Sequence, residues 1–344
     1  MDNIFIRFLC LPDVDRPIGG VKQLYRHVEH LCALGWNAAV VTEIDGFMPD
    51  WFVSSAPTIG LSKCWENDEL RNNNCILVLP ETYIGVNLRD FRGYDLSSIP
   101  RVVFNQNAYY TYGGIQSDSD LLDSFYDSPC LLHVLSISED THRFLHRNVG
   151  ISDSRLSRIV NAIESSFRPD IPKENRMHWM PRKNPDHVCA IIQGLKRCHI
   201  PHISGWKGYP LVGLSHLQVA EHLNRSRIFL SFGHPEGFGL PIAEAMASGC
   251  WVVGYSGGGG RELFRYGASD EVTFGDWPGF IAALERTFLR FVHEPEETAF
   301  RLQRQALAIK SLYSVEQERE SIRVAWARIY SAFNSLLQSS SPVL

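Results

Sequence analysis

Two glutamates separated by seven residues are the feature of this sequence best suited to binding chemistry. Glu236 lies in a glycine-containing loop after an apolar run, and Glu244 lies in the next stretch, Leu240 to Ala247. That stretch has the pattern of a short helix, which places Glu244 about one turn inside it. A helix N-terminus attracts anions, because its first N–H groups lack helical partners and its dipole end is positive. We therefore expect the two carboxylates to lie at different depths along one anionic ligand, and they need not form an acid/base pair.

Glycines and a basic pair follow other apolar runs. Gly19 and Gly20 come after the first run and open a helical pattern, and Arg182 and Lys183 follow the first strand-like run of the second half. A further run of glycines, Gly257 to Gly260, follows a later strand. Taken alone, a glycine pair can be a tight turn and a basic pair can be a solvated surface. Since ligands of parallel sheets bind at the carboxyl ends of the strands, these residues are candidates for the same site.

The segment from Ser231 to Gly249 reads SFGHPEGFGLPIAEAMASG. It resembles the retaining GT-B glycosyltransferases of family 4 (glycosyl transferases group 1), whose signature places two glutamates in the setting E-G-F-G-L-P-x-x-E-A-M-A-x-G. The alternative is an ordinary helix N-terminus with glycines. By the resemblance, Glu244 holds the ribose hydroxyls of a nucleotide. The donor sugar and the distal phosphate are held by Glu236 and by the backbone that follows it, Gly237, Phe238, Gly239 and Leu240.

The same resemblance assigns roles to the other residues. It places Gly19 and Gly20 against the donor diphosphate and the acceptor, and it gives the glycine run Gly257 to Gly260 a backbone packing role near the nucleotide. It gives Arg182 and Lys183 the task of neutralising the leaving diphosphate. In the family these two basic residues are several positions apart, whereas here they are adjacent, so Arg182 is the firmer assignment and Lys183 the looser one.

One position departs from the family. Many members carry a histidine at the end of an N-terminal strand, close to the reacting sugar, but here the strand Val102 to Phe104 continues into Asn105, Gln106 and Asn107. Gln106 or Asn107 could hydrogen-bond the sugar, although an amide cannot act as a general base. Glu81, after the preceding strand, could also face the substrate. The departure keeps open a catalytically silent module that binds a sugar nucleotide or a partner.

The sequence gives no reason to expect a metal. Two D-x-D pairs, Asp13 with Asp15 and Asp118 with Asp120, lie in polar loops and are interpreted as solvated turns. The GT-B enzymes resemble one another in using cationic side chains and a helix dipole where other transferases use a metal. We therefore expect no cofactor and no metal, with a nucleoside-diphosphate sugar as the donor substrate.

The elements that must position these residues alternate between strand and helix patterns. In the first half, strands are predicted at 4–9, 38–42, 75–79, 101–104, 132–136 and 158–160, with a helix at 21–34. In the second half, strands are predicted at 177–180, 227–232 and 251–254, and helices at 187–195, 217–223, 240–247, from 261, and at 296–312 and 315–337. Such an order predicts an α/β protein with parallel sheets in two halves.

The resemblance makes this architecture specific. It implies a GT-B fold of two facing Rossmann-like domains, residues 1–168 on the acceptor side and 169–314 on the donor side, with the active site between them. It also implies that the C-terminal segment, 315–344, packs back onto the N-terminal domain. That helix carries an apolar stripe that must be buried, formed by Ile322, Ala325, Trp326, Ile329 and Phe333.

Composition limits the partners. The chain has 344 residues and a formal net charge of −5, so it lacks the basic field that a nucleic-acid polymer requires. Its eight cysteines form no C-x-x-C pair, which favours buried thiols and a cytoplasmic location. No apolar stretch is long enough to span a membrane. Arg301, Arg304 and Lys310 among apolar residues suggest either a solvated helix face or a peripheral contact with the inner face of a membrane.

The predicted reaction is the transfer of a sugar from a nucleoside diphosphate to an acceptor hydroxyl with retention of anomeric configuration. The acceptor would be a carbohydrate, a lipid-linked molecule or another hydroxyl compound in glycan, polysaccharide or glycolipid synthesis. A nucleotide-sugar epimerase is the rival enzyme, which the glutamate spacing disfavours, and the chain is too short for the large phosphorylases.

Overall fold

The computed structural model describes residues 4–71, 74–112, 121, 125–200 and 203–340. The chain folds into two units. Unit 1 comprises the chain up to Val160 together with the segment from Glu318 onward, and unit 2 comprises Asn161–Gln317. The sequence had suggested boundaries after residues 168 and 314.

Unit 1 is built on a seven-stranded parallel sheet with the order β3-β2-β1-β4-β5-β6-β7. Its strands are β1 Phe5–Leu9, β2 Asn37–Thr42, β3 Thr58–Gly60, β4 Cys75–Pro80, β5 Arg101–Phe104, β6 Leu131–Ser136 and β7 Leu156–Arg158. Its helices include α1 Gly19–Ala33, α2 Leu61–Glu66 and α3 Glu139–Asn148. The central strands β4, β5 and β6 are buried along their whole length, as expected for strands of a parallel sheet that is covered on both faces.

Unit 2 is built on a five-stranded parallel sheet with the order β12-β11-β10-β8-β9. Its strands are β8 Glu174–Trp179, β9 Lys207–Pro210, β10 Ser226–Ser231, β11 Trp251–Gly254 and β12 Ser269–Glu271. Its helices are α4 Pro185–Arg197, α5 His216–Arg225, α6 Leu240–Ala247, α7 Trp277–His293 and α8 Pro295–Leu312. Helix α4 packs against α7, and α6 packs against α8. The predicted α/β class with two parallel sheets is confirmed.

The long C-terminal helix, α9 Val315–Ser340, contributes most of its length to unit 1. The predicted apolar stripe is buried. Its Trp326 packs against Phe8 of β1 and His27 of α1. The indole Nε1 of Trp326 donates to Nε2 of His27 over 2.7 Å. Glu318 lies within 2.6 Å of the Arg26 guanidinium. The prediction that this helix packs onto the N-terminal domain is therefore confirmed.

Some elements differ from those predicted. Helix α7 was not predicted. Asp276 caps its start by accepting the N–H of Gly279, and Pro278 lies in the first turn. The helix predicted from Arg261 is a 3-10 helix, Gly259–Tyr266, and its first two residues belong to the glycine run that packs against the Glu236 loop. The strand predicted at 158–160 lies earlier, at Leu156–Arg158. In the described part of the chain, the helices are too short or too polar to cross a membrane.

Candidate active site

The carboxyl ends of three neighbouring strands, β8, β10 and β11, meet at one edge of the unit 2 sheet. The segment after β8 carries Arg182 and Lys183, the loop after β10 carries Glu236, and the segment after β11 carries the glycine run. Because parallel strands end at the same edge, residues separated by up to about 80 positions in the chain come together there. A pocket at this edge is lined by Arg182, Lys183, Ser231, Glu236, Gly239 and Pro241, among others.

Lys183 and Glu236 form an ion pair in this pocket. The Lys183 Nζ lies 3.0 Å from Glu236 Oε1, and both side chains are largely buried, with 19% and 21% of their surface exposed. The same Nζ donates to the carbonyl of Pro235 over 2.6 Å. Arg182 lines the pocket but is exposed. Lys183 therefore has two partners in this loop, whereas the Arg182 side chain is exposed.

Asn184 explains why Lys183 points at the loop. It adopts a left-handed conformation, with φ of 51°, at the start of α4. Its Nδ2 donates to the carbonyl of Phe232 over 2.7 Å and to that of His234 over 3.1 Å. Asparagine tolerates this backbone conformation better than most residues do. Asn184 therefore fastens the segment after β8 onto the loop after β10, a role that the sequence did not reveal.

The glycine run after β11 packs directly against the backbone of the Glu236 loop. The N–H of Glu236 donates to the carbonyl of Gly257 over 2.8 Å, and the N–H of Gly259 donates to the carbonyl of Glu236 over 3.0 Å. A Cβ atom on Gly259 would lie 2.0 Å from the Gly237 carbonyl oxygen, which no side chain can occupy. The packing that was predicted for this run is present, and only glycine permits it.

Helix α6 begins beside this loop. Gly239 takes the left-handed conformation, with φ of 86°, and its carbonyl accepts the N–H groups of Ile242 and Ala243. Pro241 carries no N–H, so an anion at this terminus meets the helix dipole and the amides that precede Pro241. Phe238 is buried and packs against the Tyr313 ring, with 5.1 Å between centroids. The side chain of Phe238 therefore belongs to the core, and Leu240 is the first residue of the helix.

Glu244 lies on α6 and is 9% exposed. Its Oε1 is 2.9 Å from Nε2 of His216, at the start of α5. The other ring nitrogen of His216, Nδ1, is 2.9 Å from Oε2 of Glu164. The sequence did not single out His216 or Glu164, since both are far from the motif along the chain.

The candidate residues of unit 1 also lie at strand ends, after the adjacent strands β1, β4 and β5. Gly19 and Gly20 open α1, and the Gln106 Nε2 donates to the carbonyl of Gly20 over 3.1 Å. A Cβ on Gly20 would lie 3.2 Å from Gln106 Oε1, which is tighter than an ordinary contact. The structure therefore brings Gly20 and Gln106 together.

Glu81 holds the segment that carries Gln106. Its carboxylate is 4% exposed and its Oε2 accepts the backbone N–H of Gln106 over 2.8 Å. Burial raises the pKa of Glu81 to about 7, while backbone hydrogen bonds from Gln106 and Asn107 act in the opposite direction. Asn107 is buried, and its Oδ1 accepts the N–H of Tyr109 at the start of a 3-10 turn. Glu81 and Asn107 thus have partners within the loop, and Gln106 has the more accessible amide.

In the described part of the chain, no three His, Cys, Asp or Glu side chains are grouped so that they could hold a metal ion. Asp13 accepts the N–H groups of Glu43 and Ile44 over 2.7 and 2.9 Å, and Asp15 accepts that of Asp50 over 3.2 Å. These two carboxylates therefore order loop backbone. Asp118 and Asp120 lie outside the described residues.

Comparisons with known proteins show which family and which folds the chain resembles. Residues 211–306 match the family of glycosyl transferases group 1. The chain is 26% identical over 273 residues to an alpha-1,6-glucosyltransferase of Actinobacillus pleuropneumoniae serotype 7 (strain AP76), with 77% of each chain covered. Solved structures of similar fold include sucrose-phosphate synthase from Thermosynechococcus elongatus, at 15% identity and a TM-score of 0.67, covering 96% of this chain and 100% of that one. Another is Anabaena Alr3699/HepE in complex with UDP-glucose, at 13% identity and a TM-score of 0.68, covering 94% of this chain and 99% of that one.

Proposed function

We propose that this chain, a group 1 glycosyltransferase of the GT-B fold, transfers a sugar from a nucleoside-diphosphate sugar to an acceptor hydroxyl with retention of anomeric configuration. The arrangement of Lys183, Glu236 and Glu244 around helix α6 and the loop before it carries the proposal. It combines two carboxylates for hydroxyl groups, on one short helix and the loop before it, with a cation for a diphosphate on the segment after the neighbouring strand β8.

The donor lies along α6 in this proposal. Glu236 accepts hydroxyl groups of the sugar, together with the backbone from Gly237 to Leu240, and Glu244 accepts those of the ribose. Lys183 and the helix dipole stabilise the diphosphate as it leaves, with Arg182 adding a mobile positive charge. Lys183 lines the pocket, so its ammonium group is close to where this proposal puts the diphosphate.

Retention follows, in the proposed mechanism, from attack on the same face of the sugar that the diphosphate leaves. The bond between the anomeric carbon and the diphosphate oxygen breaks first, and the developing charge on the phosphate is held by the cations. An oxygen of the leaving diphosphate then takes the proton of the acceptor hydroxyl as that hydroxyl attacks from the same face. No metal is needed, because cations and a helix dipole supply the positive charge. Gln106, beside Gly20, is proposed to orient a sugar hydroxyl.

The relatives suggest which donors to test first. One relative is named an alpha-1,6-glucosyltransferase, and one similar structure holds UDP-glucose. We propose UDP-glucose as the first donor, a carbohydrate or lipid-linked acceptor in polysaccharide or glycolipid synthesis, and action in the cytoplasm or at the inner face of a membrane.

Release of the nucleoside diphosphate from a panel of UDP-, GDP- and ADP-sugars tests the proposal. The assay is run with and without EDTA, over oligosaccharide and lipid-linked acceptors. We expect acceptor-dependent release from one donor class that EDTA does not abolish, and a product of the same anomeric configuration by proton NMR. Binding of a nucleotide without turnover on any acceptor would favour a silent module, and an inverted product would overturn the retaining mechanism.

A further inference from the structure

The imidazole of His216 lies between two carboxylates of unit 2. Its Nε2 is 2.9 Å from Glu244 Oε1, and its Nδ1 is 2.9 Å from Glu164 Oε2. The ring also packs edge-on against Phe167, with 5.1 Å between centroids and an angle of 72° between planes. The side chain is 22% exposed, so ligand and solvent can both reach this corner of the site.

The chemistry of the three groups favours a charged ring. A carboxylate only accepts hydrogen bonds, and a neutral imidazole has a single N–H, so it can donate to only one of the two carboxylates. The doubly protonated ring donates to both. In that form the positive ring offsets part of the negative charge of Glu164 and Glu244, which would otherwise oppose the approach of an anionic nucleotide.

We propose that His216 is a positioning residue that holds the Glu244 carboxylate in the orientation required to bind a ribose. The contact with Nε2 occupies Oε1 of Glu244 and fixes the plane of the carboxylate. Its second oxygen, Oε2, is then directed at the ribose hydroxyls, while Glu164 fixes the ring from the other side. This inference rests on the proposed function, because it requires that Glu244 meet the ribose of a bound nucleotide.

The contacts of His216 are separate from those that build α5. The helix start is stabilised by a capping box, in which Ser215 accepts the N–H of Gln218 and the Gln218 side chain accepts the N–H of Ser215. The buried face of α5 is formed by other residues, including Val219, Ala220 and Leu223. Replacement of His216 should therefore leave the helix in place and change only the corner that it shares with Glu164 and Glu244.

Two substitutions separate the two contacts of the ring. In His216→Gln the amide nitrogen occupies a position close to that of Nε2 and can still donate to Glu244. In His216→Asn the amide nitrogen lies close to the position of Nδ1 and can reach only Glu164. If His216 acts through Glu244, the glutamine variant should retain function that the asparagine variant loses, whereas a general structural role would affect both alike.

The experiment is a calorimetric titration of the wild type and both variants with UDP, GDP and ADP, each paired with its 2′-deoxy form. We expect the wild type to prefer one ribonucleotide over its deoxy form by about tenfold or more, the loss expected for one charge-assisted hydrogen bond. His216→Asn should lower that preference to about threefold or less, and His216→Gln should retain most of it. In steady-state assays the asparagine variant should raise the donor KM with little change in kcat.

The outcomes distinguish the inference from the function on which it rests. If the wild type binds none of the three nucleoside diphosphates, the proposed function fails. If the wild type binds one with a clear ribose preference and His216→Asn keeps that preference, His216 does not position Glu244 and the inference is wrong. Equal loss of affinity for the ribose and deoxyribose forms in both variants would likewise overturn it, since that pattern indicates a general disturbance of the corner.

Discussion

Replacement of Lys183 by methionine is the substitution that separates site chemistry from stability most sharply. Methionine keeps the length and apolar part of the side chain and removes the charge. The change abolishes the 3.0 Å ion pair with Glu236 and the 2.6 Å hydrogen bond to the Pro235 carbonyl. If Lys183 also meets the leaving diphosphate, the variant loses a charge-assisted contact that exists only when the donor is bound.

The two consequences are measured separately. The ion pair keeps 19% and 21% of its side chains exposed, so its loss, together with that of the Pro235 hydrogen bond, should lower the free energy of unfolding by about 1–2 kcal/mol. A charge-assisted hydrogen bond to phosphate contributes about 1.5–3 kcal/mol, so kcat/KM for the donor should fall roughly 10- to 150-fold. The loss should be largest in kcat, because the charge on the diphosphate increases in the transition state.

Arg182→Met is the matched control. Arg182 is adjacent in the chain and lines the same pocket, but its side chain is exposed. We expect it to lower donor kcat/KM as well, and by less than Lys183→Met does. Initial rates over a range of donor concentrations, with a urea unfolding curve for each variant, provide the comparison. Wild-type kinetics for a folded Lys183→Met variant, or a larger loss for Arg182→Met, would refute the assignment of Lys183 as the principal phosphate-binding cation.

Three further predictions concern the scaffold of the two units. Gly259→Ala should destabilise unit 2 by about 3 kcal/mol and abolish turnover, because its Cβ would lie 2.0 Å from the Gly237 carbonyl oxygen; wild-type melting and activity would show that the loop can move aside. Glu81→Gln should flatten the pH dependence of unfolding. With a folded pKa of about 7 against 4.5 for the free group, the Glu81 carboxyl contributes roughly 3 kcal/mol of stability below pH 4.5, and this contribution is lost as pH rises through 7. Parallel urea titrations at pH 5 and pH 8 measure this, and equal pH slopes for the two proteins would contradict it. Trp326→Phe should lower the free energy of unfolding, measured in urea, by about 1–3 kcal/mol, because it leaves the buried Nε2 of His27 without its 2.7 Å donor. Burial lowers the pKa of His27 to about 3, so the ring stays neutral and its Nε2 can accept. Unchanged stability would show that this hydrogen bond contributes nothing.

Local features of the sequence were sufficient to predict much of the fold. Helix α6 and strands β5 and β11 have the predicted bounds, since each is a short apolar run limited by glycine or by polar residues. The burial of α9 also followed from its stripe, because an apolar stripe at helical spacing must be covered. Helix α7 was not predicted, although its capping residue and its apolar stripe are both present in the sequence.

The sequence reveals the two glutamates of the candidate site, but it does not reveal the side chains that contact them. The spacing of Glu236 and Glu244 is local, so both could be found from the sequence. The contacts of Lys183 with Glu236 and with the Pro235 carbonyl join residues more than 50 positions apart, so the adjacent basic residues of the sequence do not reveal them. The contacts of His216 join positions 28 and 52 residues away in the chain, so only the folded sheet brings them together.

The most direct test of the account is calorimetric titration of the preferred nucleoside diphosphate against Glu236→Gln and Glu244→Gln, with kcat measured for both. We propose that Glu244 binds the ribose and Glu236 the sugar, so the two variants should fail differently. Glu244→Gln should weaken nucleotide binding roughly tenfold or more and raise the donor KM. Glu236→Gln should bind the nucleotide nearly as the wild type does and lose kcat instead. If Glu236→Gln abolishes nucleotide affinity while Glu244→Gln leaves it unchanged, the donor does not lie along α6 as proposed.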